Sequence, residues 1–408
     1  MPDSTNAPDA NDAAPGTPGG EFDRSNVLAL SGSHFIHDCY TAFFGVLLPI
    51  LIPRLGLSFA AAGIVATALR WATSLQPFLG YIADRRDTKW WVILAPSVTA
   101  LAMSLAGLSP NVAVLVLLLV VAGTSHAAFH PAAGALVTKV SGDRWGKGMS
   151  YFMTGGELGR VIGPVAMAAL IGAVGVQLSW LIVIPGFLWS YLLWRKFRTA
   201  TFTAADSTPP RLRGVLREGR TPLVIMSAII MLRSFMINGL LIFYPTYATE
   251  GGASLLIAGL GLTVYEAGGA LGAFAAGILS DKFGRIRMLV LGMLVALPTL
   301  VVAVALGPTW LGLVMLAIGG LGLISSHSVE LVIMQRLLPE HRSSAVGINY
   351  LLRAVGGAIA MIAIGAIGDA IGLRNALFIG IAVAAVSLPI SFLMRPYEDV
   401  DAAARTRA

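Results

Sequence analysis

The chain has 408 residues, 56% of them hydrophobic and only 12% charged, with a mean hydropathy of +0.78. Soluble domains carry about a quarter charged residues, so these figures exclude an ordinary cytosolic enzyme and, outside the ends, a disordered chain. The net charge is +7 with a pI near 9.7, a balance that points to nucleic acid only where the cations gather on a soluble face. The single Cys39 forms no internal disulfide and is no metal-ligand set.

Residues 1–25 are rich in Asp, Ala, Pro and Gly and read as a solvated tail. They lack the basic start and apolar stretch of a signal peptide. Twelve apolar runs follow, at about 27–53, 58–83, 90–109, 112–138, 148–175, 177–194, 221–248, 254–280, 286–307, 309–337, 343–368 and 375–394. A helical span needs roughly 20 such residues, so the expected fold is all-α, with twelve transmembrane helices in two pseudo-symmetric six-helix halves. With a cytoplasmic N-terminus, 22 Lys and Arg fall on the inner side and only two, Arg54 and Arg374, on the outer. The positive-inside rule then puts both termini in the cytoplasm. The basic pI is a topological signal, and a nucleic-acid partner is excluded. The domain reading is a cytoplasmic tail over 1–25, one half over 26–194, a linker over 195–220, a second half over 221–395 and a tail over 396–408. The linker holds seven Lys and Arg around Pro209-Pro210, placed to lie near anionic headgroups. The absence of a transit peptide and the Arg bias fit a bacterial inner membrane.

The loop after the second span reads Gly80-Tyr-Ile-Ala-Asp84-Arg85-Arg86-Asp87, and the loop after the eighth reads Gly277-Ile-Leu-Ser-Asp281-Lys282-Phe283-Gly284-Arg285. Each sets a Gly four residues before an acid and then a basic cluster, at an offset of 197 residues. That is nearly half the chain, the mark of parallel repeats. The Gly allows close helix packing, and the acid can accept from backbone N–H groups or Arg. From about 27 to 395 the chain resembles the major facilitator superfamily, whose signature loop is Gly-x-x-x-Asp-(Arg/Lys)-x-Gly-(Arg/Lys)-(Arg/Lys). The second copy fits, while the first carries Asp87 in place of the second Gly. The resemblance implies that Gly80, Asp84, Arg85, Gly277, Asp281, Lys282 and Arg285 gate the cytoplasmic side. Gly159-Arg160-Val-Ile-Gly163-Pro164 in span five resembles the family's antiporter motif, commonest among exporters. The bland alternative is ordinary helix packing through Gly159 and Gly163 with a bend at Pro164. Within the superfamily, His34-Phe-Ile-His37-Asp38 and Phe129-His130-Pro131 resemble fosmidomycin-resistance-type exporters, which implies an anionic substrate exchanged for protons.

Eight ionisable residues lie within spans: Asp38, Arg70, Glu157, Arg160, Arg233, Glu266, Glu330 and Arg353. Such residues are costly and face a cavity or a partner. His126, His130 and His327 join them, and the 197-residue offset relates His130 to His327 and sets Arg233 opposite His37-Asp38. The resemblance places spans one, four, seven and ten around a central cavity. There Arg233, His130, His327, Arg70, Tyr40 and Tyr244 are expected to bind substrate, and Asp38, His37, His130, Glu157, Glu266 and Glu330 to carry protons. Each has a plainer reading: a fixed pair of Asp38 with Arg233, His327 with Glu330, or Glu157 with Arg160. Arg70, Glu266 and Arg353 are either switching interhelical pairs, which gives Arg353 a gating role, or fixed ones. His126 and His130 share a helix face, but no Cys or second acid in span four completes a metal site. Trp71, Phe43 and Tyr265 are either substrate contacts or lipid-facing.

No phosphate-cradling loop and no catalytic elbow occurs in the sequence. The expectation is not an enzyme, and without cofactor or metal. It is a monomeric, proton-coupled secondary transporter in the lipid bilayer, exporting a small anionic or drug-like molecule. The alternative is a proton-coupled uptake symporter for an organic anion.

Overall fold

A computed structural model describes residues 21–83, 85–199, 220–338 and 342–398, and no strand occurs among them. Eleven stretches are long and apolar enough to cross a membrane, and a shorter apolar helix, Phe59–Ala72, supplies the twelfth crossing. We number them α1 (Arg24–Leu55), α2 (Phe59–Thr73, continued by Gln76–Ala83), α3 (Lys89–Ala106), α4 (Val112–Val140), α5 (Trp145–Val174) and α6 (Val176–Phe197). The second set is α7 (Arg220–Glu250), α8 (Leu255–Phe283), α9 (Arg285–Leu306), α10 (Trp310–Leu337), α11 (Arg342–Ile371) and α12 (Leu373–Phe392). The proposed tail is shorter than read from composition: Asp23 caps α1 by accepting from Asn26 N at 2.9 Å, so Arg24 is already helical. Most of the linker, with Arg211, Arg213 and Arg217, lies outside the described residues, as does Asp84.

The internal repeat is written in the helix ends. Ser58 and Ser254 cap the starts of α2 and α8, and Asn111 and Thr309 cap α4 and α10, each accepting from the backbone N–H three residues on. These caps satisfy N–H groups that the helix itself leaves orphaned. Gly56 and Gly252, just before α2 and α8, both have positive φ (62° and 86°). Gly175 and Gly372, between α5–α6 and α11–α12, do the same (80° and 86°). Only glycine enters that region without steric cost. Arg54 and Arg374 are caps as well. Arg54 donates to Gly107 O and Ser109 O at the end of α3, and Arg374 donates to Ala305 O near the end of α9.

Packing follows the same symmetry. α1 lies on α5 as α7 lies on α11, and α2 on α4 as α8 on α10. The two sets meet through α2 against α11 and α5 against α8, a pair of contacts that a twofold axis exchanges. One hydrophobic core, from Phe43 and Leu47 to Tyr244 and Leu377, runs across both sets. At the end carrying the termini the cores are separate, one around Val27, Phe129 and Phe152 and another around Met226, Leu289 and Met394. There the Gln76–Ala83 segment packs on α4, whereas Phe59–Thr73 packs on both α4 and α11. The bundle is therefore joined at the end away from the termini and divided at the end that holds them. Many apolar side chains, such as Trp310, Leu188 and Leu294, are exposed, as a lipid-facing surface requires.

The joined end is held by backbone approach and one acid. A Cβ on Gly63 would stand 2.1 Å from Met361 O, and one on Gly365 2.3 Å from Phe59 O. Asp369 at the end of α11 accepts from Phe59 N at 2.7 Å and Ala60 N at 2.9 Å, capping α2 from the other set. Such a cap is worth about 1 kcal/mol, or about fivefold in an equilibrium. In a Cys39→Ser background, Asp369→Ala is expected to raise by about that factor the thiol-labelling rate of an Ala60→Cys probe with a membrane-impermeant reagent. An unchanged rate would show that the cap does not hold this end closed.

The two signature loops adopt different geometry. Asp281 pairs with Arg285 at 2.8 Å on the surface rather than with backbone N–H groups. Gly284, with φ of 93°, makes the turn into α9. In the first copy Asp87 replaces that glycine, and its carboxylate accepts from Lys89 N at 3.1 Å, turning the chain into α3 by side-chain capping. Arg85 lies over the Tyr81 ring, with Lys282 5.5 Å from the Phe283 ring. The close packing expected of the loop glycines is absent: a Cβ on Gly277 would meet nothing within 4 Å, and one on Gly80 only Pro131 Cβ at 3.5 Å. The division of the bundle at this end is the reason.

Candidate functional site

The site begins with a stripe of glycines on α5. A Cβ on Gly155 would fall 2.2 Å from Ser31 O, on Gly159 2.4 Å from Phe35 O, and on Gly163 2.3 Å from Cys39 O. A Cβ on Gly156 would enter the His34 ring at 2.4 Å. Small residues at helical spacing let two backbones meet, and here they lay α5 along the stretch of α1 that holds His34, His37 and Asp38. Pro164 O in turn faces Gly259 of α8 at 2.9 Å from its notional Cβ, and Thr263 Oγ1 donates to Val161 O at 2.7 Å. The Gly-x-x-x-Gly-Pro motif thus brings α1, α5 and α8 together.

At that junction Arg160 is shared among three acids. Its guanidinium lies 3.6 Å from Asp38 Oδ2 on α1 and 3.5 Å from Glu266 Oε2 on α8, and it pairs closely with Glu157 one turn away. Glu157 and Arg160 keep about a third of their side-chain surface open (31% and 33%), whereas Asp38 and Glu266 are buried (3% and 7%). Arg160 therefore joins an acid of the first six helices to one of the second six. Arg70 on α2 and Arg353 on α11 stand within electrostatic reach of it, half-buried from opposite sets. His327 on α10 hydrogen-bonds Arg353.

Asp38 also faces two imidazoles. His34 Nε2 is 3.4 Å from Oδ2, and His130 Nε2 is 3.7 Å from Oδ1. His34 Nδ1 bonds Phe152 O at 2.8 Å and His130 Nδ1 bonds His126 O at 3.0 Å. His37 and His126 stack with ring centroids 5.4 Å apart beside them.

Other expected residues keep different company. Arg233 is not the partner of Asp38. It is 1% exposed, lies 3.6 Å from Glu330 Oε1 and donates to Leu289 O at 2.5 Å. That ion pair joins α7 to α10, with Glu330 spoken for by Arg233 rather than by His327. Tyr40 is buried, donating to Ile182 O and accepting from Gly186 N, so it ties α1 to α6. Tyr244 is buried against Gly261 of α8, Phe43 and Tyr265 are buried, and Trp71 is 71% exposed. His130 and His327 occupy equivalent helices with unlike neighbours, an acid for one and an arginine for the other. Two residues escape a sequence reading: Arg160 as a bridge between helix sets, and His34 as a partner of Asp38. The four-residue spacing of His34 and Asp38 signals the second. For Arg160 the only local signal, Glu157 three residues before it, points to a self-contained pair.

The fold has known relatives. The family described as Major Facilitator Superfamily matches residues 30–251 and 226–408. The chain is similar to the uncharacterized MFS-type transporter YfnC of Bacillus subtilis (strain 168), 27% identical over 381 residues, covering 90% of this chain and 92% of that relative. It is also similar to the fosmidomycin resistance protein of Escherichia coli (strain K12), 25% identical over 353 residues and covering 84% and 86% of the two chains. Among solved structures, a bacterial homolog of the human lysosomal transporter Spinster, inward-facing and unoccupied, aligns with a TM-score of 0.75 at 16% identity, over 92% of this chain and 97% of that one. With twelve crossings, twofold-related packing and a charge cluster where the helix sets meet, this multi-pass membrane chain belongs to the Major Facilitator Superfamily.

Proposed function

We propose that the protein is a proton-coupled transporter of a small organic anion or drug-like molecule, working by alternating access in a bacterial inner membrane with both termini cytoplasmic. The observation that carries it is the Arg160–Glu266 contact between the two sets of helices. Arg70, Arg160, Arg353 and His327 lie within electrostatic reach of one another, an array suited to an anion. Arg233 is left out of the anion site because Glu330 already holds it. Glu157 and Glu266 are the proton carriers. Protonating Glu266 removes its claim on Arg160, which frees the guanidinium for substrate and loosens the contact between α5 and α8. Deprotonation restores the contact and competes the anion off. Proton and anion therefore load together on this site, the coupling of a symporter rather than of an exchanger. The relative named for fosmidomycin resistance supplies the first substrate to try.

The test is proton flux in proteoliposomes with an internal pH dye, adding fosmidomycin and then simple organic anions. Glu266→Gln is expected to cut substrate-linked proton movement at least about tenfold, the scale of one lost proton-transfer group, while substrate binding persists. Undiminished flux in the variant would overturn the role of Glu266. Silence of the unaltered protein toward every anion would overturn the substrate class.

A further inference from the structure

The histidine–aspartate cluster between α1 and α4 is unused by the carrier chemistry above, and its geometry is odd for a hydrogen-bonded network. Phe152 O and His126 O can only accept, so His34 and His130 each donate Nδ1–H to a carbonyl. A neutral imidazole so held presents a lone pair, not a proton, at Nε2. Both Nε2 lone pairs face the Asp38 carboxylate, at 3.4 Å and 3.7 Å. Three acceptors turned toward one another repel unless a cation lies among them. The separations exceed the 2.7–3.2 Å of a hydrogen bond to nitrogen, so a direct N–H···O contact does not describe them. They are close to the edge of a coordination sphere: donors about 2.0–2.1 Å from a tetrahedral ion stand about 3.3–3.4 Å apart.

We infer that His34, Asp38 and His130 form a binding site for a first-row divalent transition-metal ion such as Zn²⁺ or Co²⁺. The three donor atoms lie within 4.8 Å of one another. Two imidazoles and one carboxylate are a recurrent ligand set that leaves coordination positions open. The two backbone carbonyls supply what ligating histidines ordinarily have, an acceptor on the far ring nitrogen that fixes tautomer and orientation. Asp38 Oδ1, on the His130 side, is buried and has no hydrogen-bond partner. His130 keeps 26% of its side-chain surface open, which gives the ion an entry path and a free face. Arg160 approaches the other carboxylate oxygen at 3.6 Å, and its charge is countered by Glu157 and Glu266, so the entering cation does not meet an unbalanced guanidinium. The rings of His37 and His126 stand against the same His130, with centroids 5.8 Å and 4.1 Å from it. The sequence offers two pairs at four-residue spacing, His34–Asp38 on α1 and His126–His130 on α4. Only the packing of the two helices brings Asp38 and His34 to His130, 92 and 96 residues later in the chain. The inference is independent of the direction or substrate of transport.

The experiment uses the full chain, purified in detergent, stripped with a chelator and titrated with Co²⁺ and Zn²⁺. Metal content and the visible absorption of bound Co²⁺ are the readouts. One ion per chain is expected, with Zn²⁺ displacing Co²⁺ and raising the melting temperature. His34→Gln and His130→Gln are expected to weaken binding at least about a hundredfold, since loss of even an outer-shell partner costs tenfold to a hundredfold. His327→Gln, outside the cluster, is expected to bind like the unaltered chain. Circular dichroism of each variant verifies that it remains folded. If His130→Gln unfolds, the His34→Gln result decides. No stoichiometric uptake by the unaltered protein would overturn the inference, and so would full binding by folded His34→Gln.

Discussion

Arg160→Gln is expected to reduce anion transport about thirtyfold or more in the proteoliposome assay. Removing one partner of a buried ion pair costs about 3–5 kcal/mol because the opposing charge is left uncompensated. Arg160 is a third open (33%), so solvent screens part of that and about 2 kcal/mol is the appropriate figure, equal to about thirtyfold. Three acids on three helices are left facing one another, Asp38, Glu157 and Glu266. Arg160→Lys should be nearly as damaging, because an ammonium is a compact point charge that cannot reach three carboxylates at once. A Lys variant at full rate would mean that charge alone matters there, not the fork. Full rates in both variants would remove Arg160 from the transport cycle.

Gly159→Val is expected to destabilise the protein by more than any other single change described here. A Cβ at 159 would sit 2.4 Å from Phe35 O and 3.1 Å from Asp38 Cβ, so α5 must be pushed off α1. Overpacking in a close-packed interior costs about 1–3 kcal/mol. Here the obstruction is backbone, which cannot rotate away, and the upper end applies. The separation also draws Arg160 from Asp38, so activity is lost along with stability. Gly277→Ala is the contrast: nothing lies within 4 Å of its notional Cβ, and alanine in a helix gains up to about 1 kcal/mol over glycine. Melting temperatures of the two purified variants give the answer directly. A Gly159→Val protein that melts like the unaltered one would refute close α1–α5 packing as the basis of the site.

Much of the fold was legible in the sequence because the bilayer imposes a long-wavelength pattern. Twenty apolar residues per crossing, cations gathered on one side and a 197-residue echo in the loops need no knowledge of packing. The helix ends repeat that echo: Ser58 with Ser254, Asn111 with Thr309 and Gly175 with Gly372 keep their tasks across the two sets. The buried charges were legible in the sequence, and so was the Glu157–Arg160 pair, but the pairs between helices were not. Arg233 and Asp38 are related by the repeat, which made them natural partners, yet each is held within its own six helices, by Glu330 and by His34, His130 and Arg160. A pseudo-twofold operation names equivalent positions, and equivalent positions are not thereby in contact.

The sequence by itself determined the number of crossings, the repeat and the set of buried charges, because those follow from local composition in a solvent that penalises every exception. Only the tertiary structure decided which charge meets which. That choice depends on where glycines let backbones approach, at Gly155, Gly159 and Gly163 against α1 and at Gly259 against Pro164. A guanidinium reaches an acid on another helix only when those interaxial distances have been set. Tertiary packing likewise brought a carboxylate and a second imidazole from α1 to a histidine pair on α4, and it left Gly277 in open space among the described residues at the divided end of the bundle.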